Sequence, residues 1–276
     1  MNANYVNYLR ATKKSENTIK NYTKYVSQML VFINKPENEI NFDDLINWQA
    51  SIAHLSANTV CLQIASVKSY FDYLYKAEIV SKNIAEGLGR PKVNPKAKPY
   101  LEAEDVRKLI EASRTIRDKA ILLTFCTTGL RISELADLTR EDFEQSKTTR
   151  EIVITGKGNK QRSVFLNDEV VEVIDKYLKT RIDDSEHLFV TFKNTKLSEE
   201  SFSRTIKATA KRAGLPYWED MTNHTLRAVA ATRYAEAGVP IEDIRDMLGH
   251  SNVAITSIYL KSCKNNIRSA MMQKIF

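Results

Sequence analysis

A segment rich in proline and lysine divides this chain into two unequal parts. Residues 87–99 read GLGRPKVNPKAKP, with three prolines, two glycines and four basic residues. This composition disfavours both helix and sheet and predicts an extended linker. A chain of 276 residues is long enough for a separate domain on each side. We therefore expect an N-terminal domain at residues 1–88, a linker at 89–99 and a C-terminal domain at 100–276.

The N-terminal part has the pattern of a helical bundle. Apolar residues recur at helical spacing after Ser15, Asn41 and Ser56, which are residue types that commonly cap helix N-termini. Pro36 separates the first of these helices from the second. The sequence thus predicts three main helices after a short amphipathic start.

The third of these helices and the linker carry candidate DNA contacts. Their hydrogen-bond donors have few acidic neighbours, which suits a surface that lies along DNA. A solvated face and a solvated charge run are equally consistent with these residues. The candidates are Thr59, Gln63, Lys68, Lys92, Lys96 and Lys98.

The C-terminal part mixes helical patterns with a little β-structure. The β-branched runs EIVIT and RSVFL, separated by GKGNKQ, predict an antiparallel hairpin over residues 151–166. A further short strand is predicted at HLFVTF, residues 187–192. The expected fold class is mainly α with a small antiparallel sheet in an α+β C-terminal domain.

The net charge and the cysteine content indicate which type of partner the protein binds and in which cellular compartment we expect it. The formal net charge of +7 favours a polyanionic partner, although simple solubility explains it as well. Cys61, Cys126 and Cys263 are widely spaced and odd in number, which is typical of reduced thiols in a cytosolic protein. The first residues show no apolar signal region, and no apolar run is long enough for a membrane span. We expect a cytoplasmic protein without a membrane partner.

The stretch from His224 to Tyr259 carries the residue types of a phosphate-directed nucleophilic site. His224 and Arg227 are three apart, so a helix places them on one face. Gly249 can end a second short helix, His250 follows at once, and Tyr259 lies on a predicted third helix. A guanidinium, two imidazoles and a phenol can bind a phosphate, move a proton and attack phosphorus.

Three motifs together resemble the tyrosine recombinases, the family of phage integrases and Xer-type recombinases. They are GLRISEL with Arg131, GKGNK with Lys157, and the series formed by His224, Arg227, LGH and Tyr259. The N-terminal helices with SENTIKNY and ANTVCLQIASVKSYFDYL resemble the core-binding, SAM-like domain of that family. The resemblance implies a C-shaped DNA clamp made of this domain and a catalytic domain.

Each candidate group has a chemical role in this reading. Arg131 and Arg227 are suited to hold the nonbridging oxygens, while the two histidines donate hydrogen bonds and handle the phenol proton. Tyr259 attacks in line, and Lys157 delivers a proton to the departing oxygen. The resemblance implies a 3′-phosphotyrosine, a free 5′-hydroxyl and no cofactor. It also implies that Glu134 supports the site by orienting Arg131 or nearby backbone.

The chain departs from the family pattern at one position. Two alternatives to the assignments above also need to be weighed, a different lysine as the acid and a zinc site. Many relatives have a second histidine directly after the HxxR arginine, where this chain has Ala228, so fine positioning is in doubt. Lys160 competes with Lys157 for the acid role. His224, His250 and Cys263 lack the close spacing of zinc ligands, so no metal is expected.

These observations predict a site-specific DNA recombinase. The expected partner is double-stranded DNA with an inverted-repeat core site, bound by a homotetramer or by a heterotetramer with a paralogue. The amphipathic C-terminal helix is expected to pack in its own domain or on a neighbouring subunit. A type IB-like topoisomerase and a catalytically silent DNA-binding protein are the alternatives.

Overall fold

The chain forms two compact units in a computed structural model that describes residues 4–93, 101–156 and 161–250. The units are Met1–Lys96 and Ala97–Phe276. No helix in these three described ranges has the length and apolar character that crossing a membrane requires. The predicted C-terminal helix and the third helix of the His224–Tyr259 stretch lie outside the described residues.

The N-terminal unit is the expected helical bundle. Its cap residues Ser15, Asn41 and Ser56 each accept a hydrogen bond from a backbone N–H of the first helical turn, which confirms all three predicted helix starts. Its helices are α1 (Asn4–Ala11), α2 (Glu16–Ile33), α3 (Phe42–Ser51) and α4 (Ala57–Lys76), with short 3-10 turns at Glu37–Glu39 and Ile84–Gly87.

Aromatic rings fill the core of this unit and fix how α1 lies on α4. Tyr5, Tyr70 and Phe71 are fully buried, and the rings of Tyr5 and Tyr70 meet edge to face with centroids 4.8 Å apart. The Tyr5 hydroxyl donates to Ser69 Oγ at 3.1 Å, so its polar end is satisfied inside the bundle.

The beginning of the predicted linker lies along the N-terminal unit. Gln49 Nε2 on α3 donates to the carbonyl of Gly89 at 2.9 Å. Cys61 on α4 lies 3.6 Å from the carbonyl of Pro91. Residues 89–91 therefore continue the packed surface of α3 and α4, and residues 94–100 lie outside the described residues.

The C-terminal unit is built around one buried helix, α6. Most of its side chains are buried, and it packs against α9 and α11, which explains why its sequence is apolar on nearly every side. The unit contains α5 (Ala103–Glu111), α6 (Ile116–Thr128), α7 (Ile132–Asp137), α8 (Arg140–Thr149), β1 (Glu151–Thr155), β2 (Gln161–Phe165), α9 (Asp168–Lys179), α10 (Glu199–Arg212), α11 (Asn223–Glu236) and α12 (Ile241–Leu248), with a 3-10 turn at Trp218–Asp220.

The two strands pair antiparallel as predicted. Glu151 lies opposite Phe165, and Thr155 lies opposite Gln161, so β2 begins one residue earlier than the sequence pattern indicated. Ile152, Ile154 and Val164 face the core. The predicted fold class, mainly helical with a small antiparallel sheet, is confirmed.

The strand predicted at residues 187–192 does not form. Only isolated bridges are present there, from His187 to Thr139 and from Val190 to Lys196. Thr191 N–H donates to the carbonyl of Thr195 at 2.8 Å, so the chain turns back before a ladder can extend. The segment is largely apolar, but within the described residues no strand pairs with it beyond these two bridges.

Helix α8 was missed because its sequence, REDFEQSKTT, has a single large apolar residue. That residue, Phe143, is fully buried. The helix starts with a capping box in which Thr139 and Asp142 each accept from the other's backbone N–H. The Thr-x-x-Asp spacing was the signal that could have revealed it.

Candidate active site

Arg131 is held at the start of α7 by the residue three positions later. Glu134 accepts the Arg131 backbone N–H at 2.7 Å and its Nη1 at 2.8 Å. The Arg131 side chain remains 40% exposed, whereas that of Glu134 is only 10% exposed. The carboxylate therefore orients a guanidinium that still reaches solvent, as expected for a supporting residue.

Gly129 brings the end of α6 against α11 and α12. It ends α6 in the left-handed region at φ 60°. A Cβ placed there would lie 2.7 Å from Leu248 Cδ2 and 3.1 Å from Ala230 Cβ. Glycine is thus required both by backbone conformation and by close approach. This tight junction places Arg131 beside the C-terminus of α12.

Arg227 is the buried cation of the site. It projects from α11 and is 2% exposed. Its Nη1 donates to the carbonyl of Gly129, and its Nη2 donates to the carbonyl of Leu248. These two bonds fix the plane of the guanidinium between the end of α6 and the end of α12. His224, one turn earlier on α11, is exposed.

The carbonyl end of α12 gathers three arginines. The carbonyls of Met247, Leu248 and Gly249 accept from Arg162, Arg227 and Arg131 respectively. A helix C-terminus carries partial negative charge, so cations are stabilised there. Because Gly249 ends the helix at φ 63°, the chain turns at once and His250 follows beside the same cations.

His250 is neutral in this environment at physiological pH. Burial, together with the charges of Arg227, Arg131, Arg162 and His224, lowers the pKa of its imidazole from 6.5 to about 4. A neutral imidazole can accept a proton or donate one N–H to a phosphate oxygen. It is therefore suited to hydrogen bonding more than to acting as a preformed acid, and the low pKa makes it a weak base in the DNA-free protein.

We expect His250 to titrate near pH 4 in the DNA-free protein, well below its ordinary value of 6.5. Because the unfolded chain takes up this proton first, the folded state should lose stability as pH falls from 6.5 towards 4. The imidazole C–H shifts measured by NMR between pH 3 and 8 test this, with His250→Asn for assignment. Arg131→Gln should raise the midpoint, and a wild-type midpoint at or above 6.5 contradicts the expectation.

Arg162 is a site residue that the sequence reading missed. Its Nη1 and Nη2 bind the two oxygens of Glu134 at 2.9 and 2.6 Å, and its Nε donates to the carbonyl of Met247 at 2.8 Å. Burial raises the pKa of Glu134, but hydrogen bonds from Arg162 and Arg131 outweigh it and lower the pKa to about 2. The only sequence signal was a charged residue in β2 two positions before the buried Val164, on the same inward-facing register.

Arg131, Glu134, Arg162 and His250 line an open cleft of about 1310 Å³. Gln161 and Ser163 of the hairpin also line it. The structure thus brings together four of the candidate site residues, Arg131, Glu134, Arg227 and His250. His224 contributes to the electrostatic environment of His250 from α11. Ala228 is half-buried on the same helix.

Some predicted groups cannot be placed. Lys157, Lys160, Tyr259 and Cys263 lie outside the described residues, so their roles stay predictions. Within the described ranges, no group of three His, Cys, Asp or Glu side chains could hold a metal ion.

Burial raises the pKa of the Cys126 thiol to about 12, which keeps this residue protonated.

The predicted DNA contacts on α4 are partly corrected. Gln63 is 4% exposed, so its side chain belongs to the bundle interior and not to a DNA-facing surface. Thr59 Oγ1 lies 2.8 Å from the capping hydroxyl of Ser56, and Lys68 Nζ donates to the carbonyl of Glu86 at 2.9 Å. Lys92 is exposed, whereas Lys96 and Lys98 lie outside the described residues.

Comparison with known proteins identifies the family. The phage integrase family matches residues 99–266, which is more than half of the chain. The chain belongs to this family. The N-terminal SAM-like domain of phage integrases also matches, at residues 3–80.

Curated members of the family match over nearly the full chain. Tyrosine recombinase XerA of Pyrococcus horikoshii is 36% identical, with 97% of this chain and 90% of the relative covered. Tyrosine recombinase XerC of Caldanaerobacter subterraneus subsp. tengcongensis is 30% identical, with 97% and 84% covered.

Solved structures of the family share the architecture. The crystal structure of XerA recombinase is 28% identical, with a TM-score of 0.56 and coverage of 99% of this chain and 98% of that one. A lambda integrase dimer bound to a COC′ core site matches with a TM-score of 0.75 at 18% identity, covering 92% of each chain. At that identity the second match shows the fold alone.

Proposed function

We propose that this protein is a site-specific DNA recombinase that cuts and rejoins DNA through a phosphotyrosyl link to Tyr259. The observation that carries the proposal is the convergence of Arg131, Arg227 and His250 at the carbonyl end of α12, beside an open cleft. Two cations and a neutral imidazole close together can stabilise the negative charge that develops when a nucleophile attacks a phosphodiester.

Charge neutralisation is the main task of the two arginines. The nonbridging oxygens of a phosphodiester gain negative charge as the phenolate oxygen attacks phosphorus. Arg131 and Arg227, both fixed by protein hydrogen bonds, meet that charge with little reorganisation. The two arginines thus stabilise the transition-state charge, which is the role that Mg²⁺ has in many other phosphoryl-transfer sites.

Proton transfer completes the reaction. His250, held neutral, is suited to donate a hydrogen bond to phosphate, and we infer that His250 and the second imidazole, His224, help to handle the phenol proton of Tyr259. Lys157 protonates the departing 5′-oxygen, leaving a 3′-phosphotyrosine and a free 5′-hydroxyl. Because the ester retains the energy of the broken bond, attack by a 5′-hydroxyl of the partner duplex reseals the strand without ATP.

The wider organisation is part of the same proposal. We infer an N-terminal core-binding domain at residues 1–88, a linker at 89–99 and a catalytic domain at 100–276, acting on duplex DNA with an inverted-repeat core site. A tetramer that joins two such sites exchanges strands between them, in the cytoplasm. The XerA and XerC relatives favour recombination over topoisomerase activity.

A nicked suicide duplex tests the proposal. The probe is a labelled pool of such duplexes with randomised inverted-repeat arms, and the readout is a covalent protein–DNA adduct on a denaturing gel. Wild type and Tyr234→Phe should form the adduct, since among the described residues the Tyr234 hydroxyl donates to the backbone carbonyl of Thr127 at 3.0 Å. Tyr259→Phe should form none.

Two results would oppose the assignment. An adduct formed by Tyr259→Phe means another residue is the nucleophile, and DNA binding by wild type without any adduct means the protein is a silent binder. Relaxation of supercoiled DNA without recombinant products supports the topoisomerase alternative.

A further inference from the structure

We propose that Arg162 is a positioning residue that cancels the charge of Glu134 and thereby keeps the positive charge of Arg131 available to phosphate. The inference rests on the proposed function and adds a residue to its site. Arg162 connects three elements, because it projects from β2, binds a carboxylate on α7 and donates to the last turn of α12.

Its contacts place Arg162 behind the reacting groups. All three guanidinium nitrogens have protein partners, two on Glu134 and one on the carbonyl of Met247. The side chain is 9% exposed, compared with 40% for Arg131. Arg162 therefore acts through its neighbours, and Arg131 is the member of this group that extends towards solvent.

The charges in the cluster show what Arg162 contributes. Glu134 binds Arg131 and Arg162 together, so one carboxylate is shared between two guanidinium groups and the trio retains one net positive charge. Without Arg162, the single negative charge of Glu134 would be balanced by Arg131 alone. An arginine neutralised by its own supporting carboxylate attracts a phosphate less strongly, since little net field remains at the cleft.

Packing against Gly249 extends the positioning role to the next residue. A Cβ on Gly249 would lie 3.2 Å from Cδ and Nε of Arg162 and 3.2 Å from Nη1 of Arg131. The two guanidinium groups thus lie against the backbone that leads into His250. Since Nε of Arg162 also holds the carbonyl of Met247, this side chain helps fix the turn from which His250 projects.

A compensating substitution separates charge cancellation from general support. Arg162→Gln leaves Glu134 to neutralise Arg131, so we expect the single-turnover rate of adduct formation to fall about 10- to 100-fold, the size typical of supporting residues around reactive centres. Adding Glu134→Gln removes the competing negative charge. The double variant should therefore react faster than Arg162→Gln alone, although it has lost one more native hydrogen-bonding group.

A second readout needs no DNA. In Arg162→Gln, the NMR titration midpoint of His250 should rise, because one nearby cation is lost and Glu134 is less well balanced. In the double variant it should return towards the wild-type value. Arg150→Gln is the matched control, since this arginine precedes β1 at the other end of the hairpin and makes a partly exposed ion pair with Asp168 at 2.8 Å. It should leave both readouts unchanged.

The outcomes are distinguishable. A double variant that is as slow as Arg162→Gln or slower overturns the proposal, as does a wild-type rate in Arg162→Gln. If Arg162→Gln does not fold, as judged by thermal melting, Arg162→Lys replaces it in the test. Lysine keeps the positive charge but loses the bidentate hydrogen bonds to Glu134. It should then retain the low His250 midpoint, and a raised midpoint overturns the proposal. Absence of any adduct from wild type refutes the proposed function instead and leaves the titration test intact.

Discussion

Arg227→Gln is expected to lower the single-turnover rate of adduct formation about a thousandfold, the loss typical of removing one cationic stabiliser of a phosphoryl or oxyanion transition state. Arg227 is the most deeply buried charge of the site, and its guanidinium is fixed by the carbonyls of Gly129 and Leu248. A charge that is already oriented stabilises the transition state without reorganisation, so its loss should affect the rate more than DNA affinity. The measurement is a time course at saturating protein on the suicide duplex.

The control for Arg227 lies on the same helix. Arg233 is exposed near the end of α11, and Arg233→Gln removes the same charge from the same helix without touching the buried cluster. It should keep the wild-type rate at saturating protein. Arg227→Lys tests geometry separately, because lysine retains the charge but cannot bridge two carbonyls in one plane. A rate within tenfold of wild type for Arg227→Gln would remove this residue from the proposed mechanism.

Glu134→Ala is expected to reduce the free energy of unfolding by about 3–5 kcal/mol, because it leaves a buried guanidinium without its partner. Arg162, 9% exposed, would lose both carboxylate bonds, and the backbone N–H of Arg131 would lose its acceptor. Denaturant titration followed by circular dichroism measures the loss. Glu200→Ala is the control, since its i,i+4 pair with Arg204 is solvent-exposed and contributes about 0.3–0.5 kcal/mol at most.

The pH dependence of stability gives a check on the same residue. Burial raises the pKa of Glu134, but hydrogen bonds from Arg162 and Arg131 prevail and lower it to about 2, from an ordinary value of 4.5. Its stabilisation is therefore fully present above pH 4.5 and is lost as pH falls towards 2. Glu134→Ala should show a smaller decline over that interval than wild type, and equal slopes for the two proteins would contradict the assigned role.

Local chemistry made several helix boundaries readable from the sequence. Ser15, Asn41 and Ser56 were recognisable as helix caps because each directly precedes an amphipathic run. At such a position a Ser or Asn side-chain oxygen commonly accepts a hydrogen bond from a backbone N–H of the first helical turn. Gly249 was recognisable as a helix end because glycine adopts positive φ without strain. Helix α8 was missed because a single large apolar residue, Phe143, gives no helical periodicity. The strand predicted at 187–192 was wrong because no strand within the described residues pairs with that segment.

The sequence by itself determined which groups are available for the chemistry. Arg131, Arg227, His224 and His250 could be singled out because their motifs together resemble those of the tyrosine recombinases, and the same holds for Lys157 and Tyr259, which stay predictions. Only the tertiary structure decided how the described groups are held. Carbonyls of α12 gather arginines from three distant elements, Glu134 is shared between two of them, and Gln63 turns into the core. Such sharing depends on distances between side chains far apart in the chain, and no local pattern encodes those distances.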